Sequence, residues 1–373
     1  MTSATISRQV PVAVLGATGM VGRRLTNLLI GHPSFKTDLL IGSTETTGLL
    51  YRDVWEAKER TLQQHYGEGF WKTHAFPSAL AGFRLSRMED LIESNVEIVF
   101  SSLPERAGFL EATLLRHDVT IFSNSPFRRM DPGVPLIVPE VNAQAMQSGR
   151  LIKNPNCVTS GLVLVLQPIL SHYGLREVVV TTYQSLSGRG DSKYPAEFVI
   201  GNIYPLHAGE ENTELYIKQE VAKILGDYFL LSVTCNRTYV QEGHFVEVRI
   251  KTEKPVESAD HVANLLLDFN PLKHLKSHTN PERPITVLKE RGKPRPAQDA
   301  YYGGGMSIAV GNLSAEDDVF DLRLTYVVNN LIRGAAGGAL LNAELWLSQQ
   351  IAQNNIVQQP ADDLRAMSAT TNP

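Results

Sequence analysis

Residues 151–168 read LIKNPNCVTSGLVLVLQP, and they set Cys157 between a polar turn and a long apolar run. Two chemistries fit a thiol in such a place. Free cysteine behaves as a small hydrophobe and is at home in a core. A cysteine at a helix N-terminus can instead be a nucleophile, because the helix dipole and the N–H groups of the first turn stabilise a thiolate. The stretch alone leaves both open. The second cysteine, Cys235, ends the apolar run LLSVTC with no base beside it and reads as a core thiol.

A second pattern able to do chemistry lies near the N-terminus, in VPVAVLGATGMVGRRLTNLLIGHP. Val10 to Leu15 reads as a buried parallel strand. Gly16, Gly19 and Gly22 make a tight turn into a helix carrying Leu25, Leu28 and Leu29. Glycines so placed let the backbone approach a pyrophosphate seated at the helix N-terminus. An ordinary tight turn could use the same residues. The strand before and the helix after supply the dinucleotide-binding context.

The elements that must hold these residues follow from the apolar patterning. KTDLLIGST comes where the first βαβ unit should close, and NVEIVFSSLPE and DVTIFSN are further apolar strands ending in small polar residues. Their spacing suits helical crossovers and a parallel sheet. From about residue 176 the texture changes. LREVVVTTYQSLSG, HFVEVRIKTE, MSIAVGNL and DVFDLRLTYVVNN alternate with period two, as strands with one covered face do. EENTELYIKQEVAKIL and ADHVANLLLDFN read as helices between them, and TNPERPITVLKERGKPRPAQ as a loop. The fold class expected is α/β: a Rossmann-type dinucleotide-binding domain over 1–153, then an α+β domain with a mixed sheet over 154–330. A helix over about 331–352, rich in small residues, returns to the first domain, and 353–373 reads as a loose tail.

Composition bounds the function. The 373 residues exceed one ordinary domain of roughly 150. A formal net charge of -4 with no basic run points away from nucleic acid and anionic membrane as partners. Cys157 and Cys235 cannot build a disulfide framework, and their spacing is not that of a metal site. The start of the chain lacks a long apolar segment, and no apolar run of about 18 residues occurs elsewhere. A soluble, cytoplasmic protein of a reducing compartment is the expectation.

Six stretches then occur in a telling order: VLGATGMVG, NPNCVTSGL, QSLSGRG, AGEE, CNRTYVQEGH and GAAGGALLNAEL. In that order and spacing they resemble the aspartate-semialdehyde dehydrogenase family, its fungal and archaeal branch above all. The resemblance runs from about residue 10 to 350. It implies a catalytic and dimerisation role for the second domain, a homodimer or dimer of dimers, and NADP or NAD as cofactor. It also implies a phosphorylating aldehyde dehydrogenase of amino-acid biosynthesis, working on a small acyl phosphate or aldehyde and inorganic phosphate.

The residue roles are likewise implied by the resemblance. Cys157 would form a thioester, its pKa lowered at the helix start. His244 would be the acid–base group, with an ordinary pKa near neutrality, though a turn histidine at the surface reads the same. Gln184 would orient the acyl group. Arg237 would grip the substrate carboxylate with its planar fork, where a surface ion pair is the plainer alternative. Glu210 would hold the substrate ammonium, or merely serve a helix N-terminus. Asn124 and Arg128 would complete the substrate pocket. Gly16, Thr18, Gly19, Met20, Val21, Ser43, Glu45, Ser102, Gly188 and Asn342 would line the cofactor site.

Two departures from the family pattern carry weight. A lysine usual three residues after the Glu210 position is Thr213 here, and SNSPFRRM offers only Arg128 and Arg129 where the family has a second lysine. Arg189 and Lys193 appear nearby in SGRGDSKYP. Either other cations hold the phosphate or the acyl donor is not aspartyl phosphate. In GSTETTG, Glu45 takes the place of the family's NADP-binding arginine. An acidic residue there favours the ribose hydroxyls of NAD. Alternatively Glu45 points to solvent while Ser43, Thr44 and Thr46 bind the phosphate. N-acetyl-glutamyl-phosphate reductase, a malonyl-CoA reductase and a non-catalytic paralogue are the rival readings. The first carries a PGCYPT-like stretch at its cysteine, unlike PNCVTSG, and the last has no reason to keep Cys157, Gln184, Arg237 and His244 together.

Overall fold

The computed structural model describes residues 9–147, 149–190, 194, 196–206, 212–315 and 319–357. Five strands open the chain: β1 (Val10–Leu15), β2 (Phe35–Ile41), β3 (Ile98–Ser101), β4 (Thr120–Ser123) and β5 (Leu151–Lys153). They form one parallel sheet in the order β2-β1-β3-β4-β5. β1, β3 and β4 are buried almost throughout, which is why they read as unbroken apolar runs. Helices α1 (Met20–Leu28) and α2 (Tyr51–Tyr66) lie in the first crossovers. β5 is only three residues long, too short for any periodicity to announce it.

Seven further strands make a mixed sheet: β6 (Glu177–Gln184), β7 (Ile203–Pro205), β8 (Leu230–Thr238), β9 (His244–Lys251), β10 (Ile285–Val287), β11 (Ile308–Ser314) and β12 (Leu322–Val328). Their order is β10-β11-β12-β9-β6-β8-β7. β6 and β9 alternate strictly between buried and half-buried residues, so one face is covered and the other is not. The covered face carries the helices Cys157–Tyr173, Thr213–Leu225 and Ala259–Asp268. In the Cys157 helix, Leu162, Val163, Leu164, Val165, Leu166 and Ile169 are all fully buried. Each such side chain contributes about 1.5–3 kcal/mol of hydrophobic stabilisation, so this helix is a fixed post.

The C-terminal segment differs from the single helix expected over 331–352. It opens with a π-turn, Ile332–Ala336, where Asn329 Oδ1 accepts the N–H groups of Leu331 and Ile332 at 3.1 and 2.9 Å. A helix then runs over Gly337–Val357, so 353–357, expected in a loose tail, are helical. Residues 358–373 lie outside the described residues. Ala336, Ala339, Leu340 and Ala343 pack into the core of the parallel sheet, and Trp346 meets Phe122 edge-on. Small side chains permit that close approach. Among the described residues no helix is long and apolar enough to cross a membrane.

Candidate active site

β1 runs into Gly16, and β5 runs through Asn154, Pro155 and Asn156 into Cys157. Parallel strands bring these C-terminal ends to one edge, the edge at which open α/β sheets bind ligands. Cys157 is the first residue of its helix. Asn156 caps it, its Oδ1 accepting the Val158 N–H at 2.9 Å.

The second sheet supplies the partners from three neighbouring strands. Arg237 on β8 is in register with Gln184 on β6, and β9 begins at His244 on the other side of β6. His244 Nε2 stands 3.1 Å from Cys157 Sγ. Its Nδ1 accepts the backbone N–H of Ser185 at 3.0 Å, with Ser185 Oγ at 3.1 Å. A backbone amide can only donate, so Nδ1 is bare and the neutral ring carries its proton on Nε2, facing sulfur. Burial, then the Arg237 charge, hold the imidazole well below its ordinary pKa of 6.5. The Cys157 S–H is left to Asn156 Oδ1, 3.8 Å away.

Burial also pushes the Cys157 thiol up to about 11, against the pull of Arg237 and the Val158 amide. The expectation of a lowered pKa is therefore corrected. The helix terminus and Arg237 are present, but in this enclosed setting desolvation of the anion outweighs them.

Arg237 is buried; Nη1 donates to Ser185 O at 2.9 Å and Nε to the Tyr194 hydroxyl at 3.3 Å. The guanidinium groups of Arg237 and Arg189 lie 5.2 and 5.1 Å from the centre of the Tyr194 ring. Gly188 completes this wall. A Cβ there would come within 2.8 Å of both Arg237 Nη1 and His244 Cε1. The Gln184 amide donates to Thr182 Oγ1 at 3.2 Å beside the Cys235 thiol, which is buried and likewise pushed up to about 11 by desolvation. Glu210 and Lys193 lie outside the described residues.

The cation expected at 128 is misplaced by one residue. Arg128 has φ +57°, is exposed, and pairs with Asp131 at 2.6 Å. The left-handed backbone turns it outward and Arg129 inward. Arg129 is buried, donating to Glu220 Oε1 at 2.8 Å and to Asn124 O at 2.6 Å, while its Nε has no hydrogen-bond partner. Glu220 Oε2 accepts the Asn156 N–H at 2.6 Å, so this pair abuts the turn that carries the thiol. Asn124 Oδ1 accepts from Asn154 Nδ2 at 2.9 Å. Beneath them Lys153 is fully buried, paired with Glu111 and donating to Ser123 Oγ at 2.8 Å; burial pulls its pKa down to about 8.

The glycine turn fits a dinucleotide. Gly16 has φ +79°, and a Cβ on Gly22 would meet Gly16 O at 2.2 Å, so turn and helix pack backbone to backbone. Gly19 caps α1 without a side-chain hydrogen bond, leaving the helix terminus to a ligand. The buried Ser102 Oγ beside Gly16 lacks a partner, and Thr18 is buried in the turn, whose carbonyls are braced by Arg23 to Thr18 O (2.7 Å) and Tyr51 to Ala17 O (2.9 Å). The side chains of Met20 and Val21, expected along the cofactor site, pack into the core. Asn342, expected at the cofactor site, keeps its Oδ1 without a hydrogen-bond partner. It is fully buried, and its Nδ2 reaches Asn154 Oδ1 at 2.5 Å, bracing the thiol's turn from behind. After β2, Glu45 is exposed and accepts from Ser43 Oγ at 3.1 Å within its own loop.

Known proteins share this arrangement along the chain. A family model described as the semialdehyde dehydrogenase NAD binding domain matches residues 11–149, and one described as the semialdehyde dehydrogenase dimerisation domain matches 166–333. An aspartate-semialdehyde dehydrogenase of Archaeoglobus fulgidus is 33% identical over 363 residues, covering 91% of this chain and 98% of its own. The chain belongs to the aspartate-semialdehyde dehydrogenase family.

Within the family, a fungal relative from Trichophyton rubrum, also an aspartate-semialdehyde dehydrogenase, is 32% identical over 89% of this chain and 95% of its own. A malonyl CoA reductase (NADP) of Metallosphaera sedula is 29% identical over 91% of this chain and 97% of its own. The crystal structure of the Candida albicans aspartate-semialdehyde dehydrogenase with NADP superposes with a TM-score of 0.78 at 26% identity, covering 92% of this chain and all of that one.

Against this family background, four residues at the site escaped sequence reasoning. Ser185 and Asn330 form the backing of His244, with Ser185 Oγ donating to Asn330 Oδ1 at 3.0 Å. Glu220 betrays itself only as a charge among the buried Ile217, Val221 and Ile224 of one helix face. Gly334 lies against the thiol: a Cβ there would come within 2.5 Å of Cys157 Cβ. The small-residue run RGAAGG was its signal.

Proposed function

We propose that the protein carries out the NAD(P)-dependent reductive dephosphorylation of L-aspartyl 4-phosphate to L-aspartate 4-semialdehyde, through a thioester on Cys157. The observation that carries this reading is the 3.1 Å approach of His244 Nε2 to a thiol at a helix N-terminus, on the edge that also bears the glycine turn. Cys157 Sγ attacks the acyl carbon as the acyl–oxygen bond breaks, and the thiol proton leaves with the phosphate. The glycine turn over Gly16–Gly22 would hold the nicotinamide cofactor, which would supply the hydride that the thioester carbonyl carbon takes up. Breakage of the C–S bond then frees the aldehyde, and one proton from solvent restores the thiol. His244 serves both halves as a hydrogen-bond donor, its Nε2–H aimed at the sulfur and at oxygen developing charge beside it. Arg237 takes the substrate carboxylate and Gln184 the acyl group. Glu210 would meet the ammonium. Arg129, with its unused Nε, replaces Arg128 as the phosphate-side cation. The protein acts as a homodimer through its second domain.

One specific observation favours a second reading. Thr213 stands where the family's phosphate-pocket lysine does, and a malonyl CoA reductase is among the relatives. An assay of the aldehyde with NADP, run with inorganic phosphate and then with coenzyme A, separates them. Phosphate-dependent turnover is the expected result; turnover with coenzyme A alone would replace the acyl-phosphate reading by an acyl-thioester one.

A further inference from the structure

Glu242 lies two residues before His244, half-buried with its side chain only 8% exposed, and no contact with the thiol or the glycine turn is seen among the described residues. Its carboxylate gathers donors from three distant segments. Oε1 accepts from Arg24 Nη2 at 2.5 Å and from His74 Nε2 at 3.0 Å, and Oε2 accepts from the Tyr301 hydroxyl. Gln241 beside it grips the backbone of Lys72 from both sides, at 2.8 and 2.9 Å. Between Glu242 and His244 stands Gly243, with φ +91°, its N–H fixed on Asn330 Oδ1 at 3.0 Å and no room for a Cβ beside Ala300. A shift of Glu242 is therefore passed to His244 without slack.

Arg24 is the telling partner. It rides on α1, two residues beyond Gly22, on the helix whose first turn faces the dinucleotide. A brace between the two sheets could have been built anywhere along their contact. This one joins the cofactor helix to the residue next but one to His244. We propose that Glu242 is a positioning residue that couples the seating of a nicotinamide dinucleotide on α1 to the placement of His244 against Cys157. The inference rests on the function proposed above. A buried carboxylate with several donors is costly to unpair, so turn and helix move as one.

The test is the rate at which iodoacetamide alkylates Cys157, with and without saturating NADP, alongside kcat and KM. In the wild-type protein NADP should change that rate by about fivefold or more. Glu242→Gln should still bind NADP by fluorescence titration, yet lose the response, with kcat down roughly tenfold or more and KM for the aldehyde little changed. Tyr301→Phe, which removes one donor and keeps the Arg24 pair, should blunt the response partway and serves if Glu242→Gln does not fold. A Glu242→Gln protein that responds to NADP as the wild type does would overturn the coupling. So would a wild-type Cys157 indifferent to bound NADP. Absence of binding of both NADP and NAD to the wild-type protein would instead remove the functional reading itself, and the coupling with it.

Discussion

The backbone N–H of Ser185 donates to Nδ1 of His244 across 3.0 Å, and this one bond decides what the imidazole does to Cys157. With Nδ1 occupied, the ring points a proton at sulfur instead of a lone pair. His244→Ala should lower kcat by roughly two to three orders of magnitude, the size of losing one preorganised hydrogen-bond donor. His244→Gln, whose amide can donate from nearly the same place, should recover about tenfold of that loss. Equal activity of the two variants in a steady-state assay would mean that the ring works as a base.

The thiol itself should titrate late. Burial pushes both Cys157 and Cys235 up to about 11, so their difference lies in access: Cys157 is half-buried and Cys235 is 1% exposed. Alkylation of Cys157 in the ligand-free protein should climb with pH past 9, since the thiolate fraction grows until pH reaches the pKa. Cys235 should stay slow throughout, and Cys157→Ser should be inactive. A rate that levels off below pH 8 would show that the helix terminus and Arg237 prevail over burial after all.

Gly334 leaves no room for a side chain. Gly334→Ala would drive a methyl group to within 2.5 Å of Cys157 Cβ, displacing the nucleophile by a good fraction of an ångström. Misplacement on that scale costs about a hundredfold in rate. The expected outcome is a large fall in kcat with NADP binding retained. Unchanged kcat would place the thiol's working position elsewhere.

The two adjacent arginines should behave oppositely. Arg128→Ala removes an exposed pair with Asp131 and should change stability by less than about 1 kcal/mol and activity little. Arg129→Ala leaves Glu220 buried without its cation and should raise KM for phosphate in the oxidative direction. If Arg128→Ala alone raised that KM, the outward turn at 128 would not hold in the working enzyme.

Cofactor choice turns on Glu45. Its carboxylate, held by Ser43 at the end of β2, would face a 2′-phosphate of like charge. At about 4 Å even a well-screened repulsion amounts to about 1 kcal/mol or more, several-fold in preference. The protein should discriminate weakly between NADP and NAD, and Glu45→Arg should shift kcat/KM toward NADP. A strong NADP preference in the unmodified protein would show that Glu45 faces away.

The parts of this molecule that announce themselves in sequence are those with a local cause. β1 followed by three spaced glycines, the alternation of β6 and β9, and a cysteine between NPN and an apolar run each carry their reason within a dozen residues. The contacts that hold the site do not. Ser185 serves through its backbone, which every residue has. Glu220 and Asn330 act on residues 64 and 87 positions away. Arg128 and Arg129 are chemically identical neighbours, separated only by a backbone dihedral. The rise of the Cys157 pKa depends on how much water the finished fold excludes, which no spacing records.

The turn that presents Cys157 is tied to the far end of the chain: Asn154 Nδ2 donates to Ala335 O at 2.9 Å and accepts Asn342 on its other atom. On the ribosome these partners emerge more than a hundred residues after the cysteine. Both sheets can be complete while the NPN turn still lacks these two contacts, so a growing chain acquires a fully braced thiol only once residues 335 and 342 have been added. The order of translation thus delays the reactive centre until the walls that confine it already stand.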